Sequence, residues 1–251
     1  MASFWSRRLS MGAALLLGLA GAGVGAGTAM AAGQSGQPAN RAEIEAIVRD
    51  YILNHPEIIP EAVARLEQAE ARNALAANRT AVETPFPGAI AGNPKGDVKL
   101  VVFFDYACPY CRQGHADVQK LIASDPKLMV VYRDFPVLSP ASTEAAMASL
   151  SAATQGGYGK FHNAMFESPG RVSLARTMGI VKGVGLSEDK VTADLTNATL
   201  RAELDRNLAL GRALGLTGTP SYIIGDKILS GAVGFDQLKA AVSAARAEAG
   251  R

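Results

Sequence analysis

The sequence predicts an α/β fold, and three observations carry that prediction. Val98 to Phe104 (VKLVVFF) is an apolar run of β-branched and aromatic residues that reads as a buried strand. It breaks at Asp105-Tyr106-Ala107 and hands over to a helical pattern through Ser124, after which Leu128 to Phe135 (LMVVYRDF) reads as the next strand. A strand–helix–strand unit of this length is a parallel crossover and should be right-handed. About seventy residues of nearly unbroken helical pattern, from Ala141 to Leu216, then separate these strands from a second strand group.

Taken in order, residues 1–31 read as a secretory signal. Arg7-Arg8 form its charged region, Leu9 to Ala20 its apolar region, and Ala29-Met30-Ala31 a small-x-small cleavage site. The alternative is an uncleaved anchor helix, because no further charge occurs before Arg41. Ser6-Arg7-Arg8-Leu9-Ser10-Met11 also resembles a twin-arginine export signal, so export is by the general secretory route or by that one. Neither cysteine lies near the cleavage point, which excludes a lipid-anchored cysteine there. Removing the two leader arginines takes the formal charge of +2 to zero, leaving no electrostatic case for nucleic acid or an anionic membrane.

Residues 32–40 form a polar linker. Residues 41–83 form a charged helical arm, broken at Asn54-His55-Pro56. Ile44, Ile47, Val48, Tyr51 and Ile52 recur at helical spacing, and Ile58, Ile59, Val63 and Leu66 repeat the pattern. This apolar stripe needs a cover. An arm packed on its own domain and an oligomerisation segment meet that need equally. Thr84 to Lys95, rich in Pro and Gly, joins the arm to a domain over 84–251, with Phe86 to Ile90 as a short edge strand. Within the helical stretch, TEAAMASLSAATQ is one helix, FHNAMF a second, and two or three more follow. Ser221–Ile224 and Lys227–Ser230 pair as a hairpin over Gly225-Asp226. Phe235–Ala249 closes the chain as an amphipathic helix.

Chemistry concentrates at Cys108-Pro109-Tyr110-Cys111, which opens the first helix of the domain. Pro109 suits the first helical position, where a backbone N–H would have no partner. Cysteines three apart on one turn lie on one face within bridging reach. The free N–H groups and the positive end of the helix dipole favour a thiolate on Cys108. Cys108 is therefore the nucleophile and Cys111 the resolving thiol. The competing reading, one stabilising disulfide, is weak because so small a loop constrains the unfolded chain little. His115 lies four residues beyond Cys111, so C-x-x-C-x-x-x-H offers three metal donors. Zinc wants a fourth, whereas Cu(I) accepts fewer and softer ligands. His162 in FHNAMF is assigned to packing.

FFDYACPYC together with Thr219-Pro220 in GTPSYIIG resembles the DsbA-like branch of the thioredoxin superfamily over roughly residues 86–251. The resemblance implies a thioredoxin-like fold with a helical insertion at about 138–216, preceded by the helical arm. It implies that Pro109 and Tyr110 tune the redox pair toward oxidation. It also implies that Thr219-Pro220, otherwise an ordinary loop proline, is a cis-proline loop facing the cysteines, with substrate lying beside Tyr106, Pro109, Tyr110, Thr219 and Pro220. Many members carry a Glu six residues before the first cysteine, where this chain has Val102, so a proton route through that position is missing. The arm with Asn54-His55-Pro56-Glu57 is similar to that of ScsC-type isomerases, which are trimeric.

The expected function is periplasmic thiol–disulfide exchange on exported cysteine-containing proteins, with oxidase favoured over isomerase. The expected partner is a membrane redox protein, and the arm supports a homo-oligomer. No cofactor is implied beyond the cysteine pair. The alternative is a Cu(I)-binding or metal-transfer protein that uses the reduced C-x-x-C.

Overall fold

The computed structural model describes residues 40–250. The expected signal, its cleavage point and nearly all of the 32–40 linker lie outside the described residues. The chain divides into two units at His55–Pro56.

The described part of the first unit is α1 (Arg41–Asn54). The Asn40 side chain caps it by accepting from the Ala42 N–H at 3.3 Å. The helix stops at His55, because the ring of Pro56 disfavours helical backbone in the residue before it. Its apolar stripe lies open: Ile44, Ile47, Val48 and Tyr51 are 47–67% exposed, and α1 buries none of its residues.

The second unit starts at Pro56 and opens with α2 (Ile58–Glu83). Its early apolar residues Ile59, Val63 and Leu66 are exposed, whereas Leu75 and Val82 are fully buried. The expected arm over 41–83 is thus not one piece, since the last turns of α2 belong to the core of the second unit. Five strands follow among the described residues: β1 (Ile90–Gly92), β2 (Val98–Phe104), β3 (Leu128–Asp134), β4 (Ser221–Ile224) and β5 (Lys227–Ser230). Their order in the sheet is β1-β3-β2-β4-β5, with only β2 and β3 parallel.

The edge strand begins where the expected segment 86–90 ends. Pro85 and Pro87 cannot donate to a ladder, and Gly88 at φ +89° turns the chain, closed by Ala89 N–H to Phe86 O at 2.9 Å. The hairpin falls on the expected residues, with Gly225 at φ +55° supplying the left-handed position that a two-residue turn requires.

From Leu100 onward β2 reads as an unbroken apolar run because both of its faces are covered there. Leu100, Val102 and Phe104 face α3 (Pro109–Ser124) and α9 (Phe235–Ala249), joining Val118, Leu121, Leu238 and Val242 in one core. Val101 and Phe103 face the other way, against Leu75 and Val82 of α2. The inserted helices are α4 (Pro140–Thr154), α5 (Tyr158–Glu167), α6 (Leu174–Gly183), α7 (Glu188–Asp194) and α8 (Ala198–Ala213). α4 carries small buried residues almost all round, which lets its neighbours pack close to it.

Candidate functional site

The site stands where β2 ends and α3 begins, and Asp105 builds the corner. Its Oδ1 accepts from the Ala107 N–H at 2.8 Å, its carbonyl accepts from the Cys108 N–H at 3.1 Å, and its Oδ2 accepts from Val137 and Leu138 N–H, both at 3.0 Å. One buried carboxylate therefore folds the turn that delivers the cysteine and fixes the loop leading into α4. Sequence reading missed this role; an Asp three residues before the motif is compatible with a turn but does not name its distant partners.

Cys108 is the N-cap residue of α3 and Pro109 follows at its first position. Both cysteines are free thiols with little exposure, 6% for Cys108 and 3% for Cys111. Tyr110, between them, is 63% exposed. Burial pushes the Cys111 thiol far above its usual range. The Thr219–Pro220 bond is cis. Thr219 O lies 3.2 Å from Cys108 Sγ, which donates to it. The structure therefore brings Cys108, Cys111, Pro109, Tyr110, Thr219 and Pro220 to one place.

Gly114, the next turn of α3, lets the Tyr222 hydroxyl pack against the helix backbone. A Cβ there would collide with that hydroxyl and stand 3.5 Å from the Pro220 ring.

Tyr106 requires a correction. Its side chain is 3% exposed and points inward, so it offers substrate no ring. Its hydroxyl donates to Ser149 Oγ at 3.1 Å, and Ser149 donates to Asp134 Oδ2 at 3.2 Å. His162 Nδ1 lies 3.1 Å from the same Tyr106 hydroxyl, which makes it the donor in a one-way chain from His162 to Asp134. Burial raises the Asp134 carboxyl and lowers the His162 imidazole, each disfavouring its charged form. Packing is indeed what His162 does, since it contacts Phe104, Tyr132 and Tyr158.

Behind Cys111 lies a small cavity lined by Val102, Gly114, His115, Tyr132, His162 and Tyr222, among others. Val102, Tyr132 and Tyr222 share one rung of the sheet. His115 stacks on Phe166, with ring centroids 5.1 Å apart. Among the described residues, no three His, Cys, Asp or Glu side chains converge closely enough to hold a metal ion. The C-x-x-C-x-x-x-H spacing therefore does not become a three-donor site.

Arg112 ties this helix to the insertion, donating to Phe166 O and, at 2.9 Å, to Ser168 O. Arg176 adds bonds to Met165 O at 3.0 Å and Ser168 O at 2.7 Å. Together they satisfy carbonyls at the end of α5 that have no helical partner.

Comparison with known proteins agrees with this geometry. Residues 99–243 match the DSBA-like thioredoxin domain, and residues 40–72 match the copper resistance protein ScsC N-terminal domain. A thioredoxin-like oxidoreductase from Silicibacter pomeroyi is 40% identical, with TM-score 0.62, covering 63% of this chain and 91% of its own. A linker-deletion mutant of Proteus mirabilis ScsC is 30% identical, with TM-score 0.71, covering 85% of this chain and 98% of its own. The thiol-disulfide exchange protein alpha-DsbA2 from Wolbachia pipientis is 27% identical, with TM-score 0.64, covering 70% of this chain and 96% of its own. The chain spans about a quarter of the length of the curated relatives it matches; Na(+)/H(+) antiporter NhaA 1 of Salinispora arenicola, for example, is 24% identical over 158 residues. With more than half its length matched by one domain model and two cysteines set against a cis-proline loop, the chain belongs to the DSBA-like thioredoxin domain family.

Proposed function

We propose that this protein is a periplasmic thiol–disulfide oxidoreductase that forms or isomerises disulfides in exported proteins through Cys108 and Cys111. The observation that carries the reading is Cys108 at the N-terminus of α3, with its sulfur 3.2 Å from the carbonyl of Thr219 in the cis-proline loop. A thiol in that position is reachable by a substrate strand lying along the loop, and the resolving thiol is one turn away. In the oxidising direction a substrate thiolate attacks the Cys108 sulfur of the disulfide form, and Cys111 leaves. A second substrate thiol then displaces Cys108 from the mixed disulfide. In the isomerising direction the dithiol form attacks a wrong substrate disulfide through Cys108. A membrane redox protein would reset the pair after either reaction.

By the family resemblance, Pro109 and Tyr110 favour the oxidase direction, which is the working assignment. One observation favours the isomerase: the uncovered apolar stripe of α1, within the segment that matches the ScsC N-terminal domain. Copper transfer has less support, since His115 faces Phe166 and His162 rather than completing a donor set with the cysteines.

The test is oxidation of a two-cysteine peptide by the disulfide form. Cys108→Ser is expected to abolish exchange. Cys111→Ser, which cannot hold the disulfide form, should accumulate a mixed disulfide on Cys108 when given a disulfide-bonded peptide, since Cys108 attacks it and no resolving thiol follows. Unchanged turnover in Cys108→Ser, with stability lost instead, would reduce the pair to a structural bridge.

A further inference from the structure

Each closing of the Cys108–Cys111 disulfide requires the Cys111 thiol to give up its proton. The Cys111 sulfur attacks the Cys108 sulfur, and a new S–S bond forms. The bond from Cys108 to the substrate sulfur breaks, and that sulfur departs with the electron pair as a thiolate. The proton of Cys111 needs an acceptor inside the fold, because this residue is only 3% exposed.

The walls of the cavity behind Cys111 limit the choice. Val102, Phe104, Val118 and Phe166 accept no proton. The Tyr132 and Tyr222 hydroxyls are held in their protonated form by burial. His162 is 2% exposed and gives its Nδ1–H to Tyr106. Burial holds its imidazole neutral more strongly than that of His115, so its Nε2 is the poorer acceptor. His115 remains. It sits one helical turn beyond Cys111, faces the same cavity and is 7% exposed. Neither of its ring nitrogens makes a hydrogen bond. Its Nε2 stands 3.8 Å from Oε1 of Glu167, a carboxylate that is 67% exposed. The cavity measures about 10 Å³, at the lower limit for one water between thiol and ring.

We propose that His115 takes the proton of Cys111 when the active-site disulfide closes, and that Glu167 passes it to solvent. In the reverse step the departing Cys111 sulfur recovers a proton along the same path. The charged and titratable groups facing His115 are Cys111 and Arg112 on its own helix, His162 and Glu167 on α5, Tyr132 on β3 and Tyr222 on β4. Burial, together with Arg112, lowers the proton affinity of the imidazole, and Glu167 opposes them. The ring is therefore neutral at pH 7 and free to accept. The proton of the thiol becomes acidic as the S–S bond forms, which is the condition under which a general base is effective.

This inference rests on the thiol-exchange reading, and the experiment separates the two. Reduced protein is mixed with oxidised glutathione, quenched with acid at intervals and weighed by mass spectrometry. The glutathione adduct on Cys108 and the closed disulfide differ in mass. In His115→Phe and His115→Gln the adduct should persist, its closure slowed about 100-fold at pH 6.5. The deficit should shrink toward pH 9, where base in solution substitutes. Glu167→Gln should slow closure a few-fold. Closure at the wild-type rate across the pH range, or slowing by one constant factor at every pH, overturns the proposal. If wild-type protein forms neither adduct nor disulfide, the exchange reading itself falls and takes this one with it. A measurement on unaltered protein guards against misfolded variants: NMR titration of the His115 imidazole should give different midpoints in the dithiol and disulfide forms. Identical midpoints would also overturn the proposal.

Discussion

Gly114 shows how tightly single residues set the site. The Tyr222 hydroxyl occupies the space where a Cβ would stand, and the Pro220 ring lies just beyond it. Gly114→Ala should therefore push α3 away from the cis-proline loop, lowering stability by about 1–3 kcal/mol and slowing exchange, read by denaturant unfolding and peptide oxidation. The buried chain from His162 to Asp134 predicts opposing pH effects. His162 resists protonation in the fold, whereas the unfolded chain takes up a proton near pH 6.5, so its contribution to stability falls as pH drops below that value. The Asp134 carboxyl holds its proton more tightly in the fold than in the unfolded chain, so its contribution rises as pH falls toward 4. Relative to wild type, His162→Gln should flatten the acid-side loss between pH 6.5 and 5 by up to about 1.4 kcal/mol per pH unit, and Asp134→Asn should steepen it. The same slope in all three proteins would disprove the assignment. The placement of Cys108 and Cys111 on the first turn of α3 was legible in the sequence, because Pro109 marks a helix start and a spacing of three sets them on one face. The orientation of Tyr106 was not, because its partners Ser149 and His162 arrive on inserted helices 43 and 56 residues away.

Among the elements, α2 owes most of the capping of its end to one side chain from the sheet. Arg133 on β3 is 3% exposed and donates to Ala81 O at 2.5 Å, Val82 O at 3.1 Å and also Thr84 O. These carbonyls close α2 and have no helical partner, so the guanidinium acts as a cap supplied by the sheet. The same group donates to Glu203 and Asn207 of α8, each at 3.0 Å. Arg133→Ala removes every one of these bonds and takes the inner cation from a carboxylate that is only 5% exposed. A loss of about 3–5 kcal/mol is expected in denaturant unfolding, tempered by the outer contact of Arg206 with Glu203 at 2.5 Å. A loss below 1 kcal/mol would show that the cap is dispensable. The strands β2 and β3, the hairpin and α9 were legible, since apolar periodicity and a Gly-x turn are local signals. The edge strand was displaced from its expected place by two prolines and a left-handed glycine, and the division of α2 between exposed and buried turns was not legible. Ile59 and Leu75 look alike in sequence; only the sheet face that receives the latter distinguishes them.

At the scale of the whole molecule, the open question of the apolar stripe becomes a physical one. Ile44, Ile47, Val48 and Tyr51 recur on one side of α1, each close to half exposed or more, and Ile59, Val63 and Leu66 of α2 are exposed as well. An apolar stripe sustained at helical spacing is unfavourable in water unless covered, and identical helices from other copies can cover it by packing stripe against stripe. We therefore expect purified residues 32–251 to have a mass by light scattering that is a multiple of the single chain. Ile47→Glu with Tyr51→Glu should return it to a monomer. These positions are 67% and 54% exposed, so thermal stability of the thioredoxin domain should hardly change. Peptide oxidation should persist in that monomer, because the cysteine site is complete within one chain, while reshuffling of a scrambled multi-disulfide protein should fall if paired active sites perform it. A truncation must end before Pro56 to be a fair test. Deletion through Thr80 would remove Leu75, which is 1% exposed, and would damage the domain core together with the arm. A wild-type monomer with full reshuffling activity would refute the oligomeric reading and leave the oxidase as the working direction.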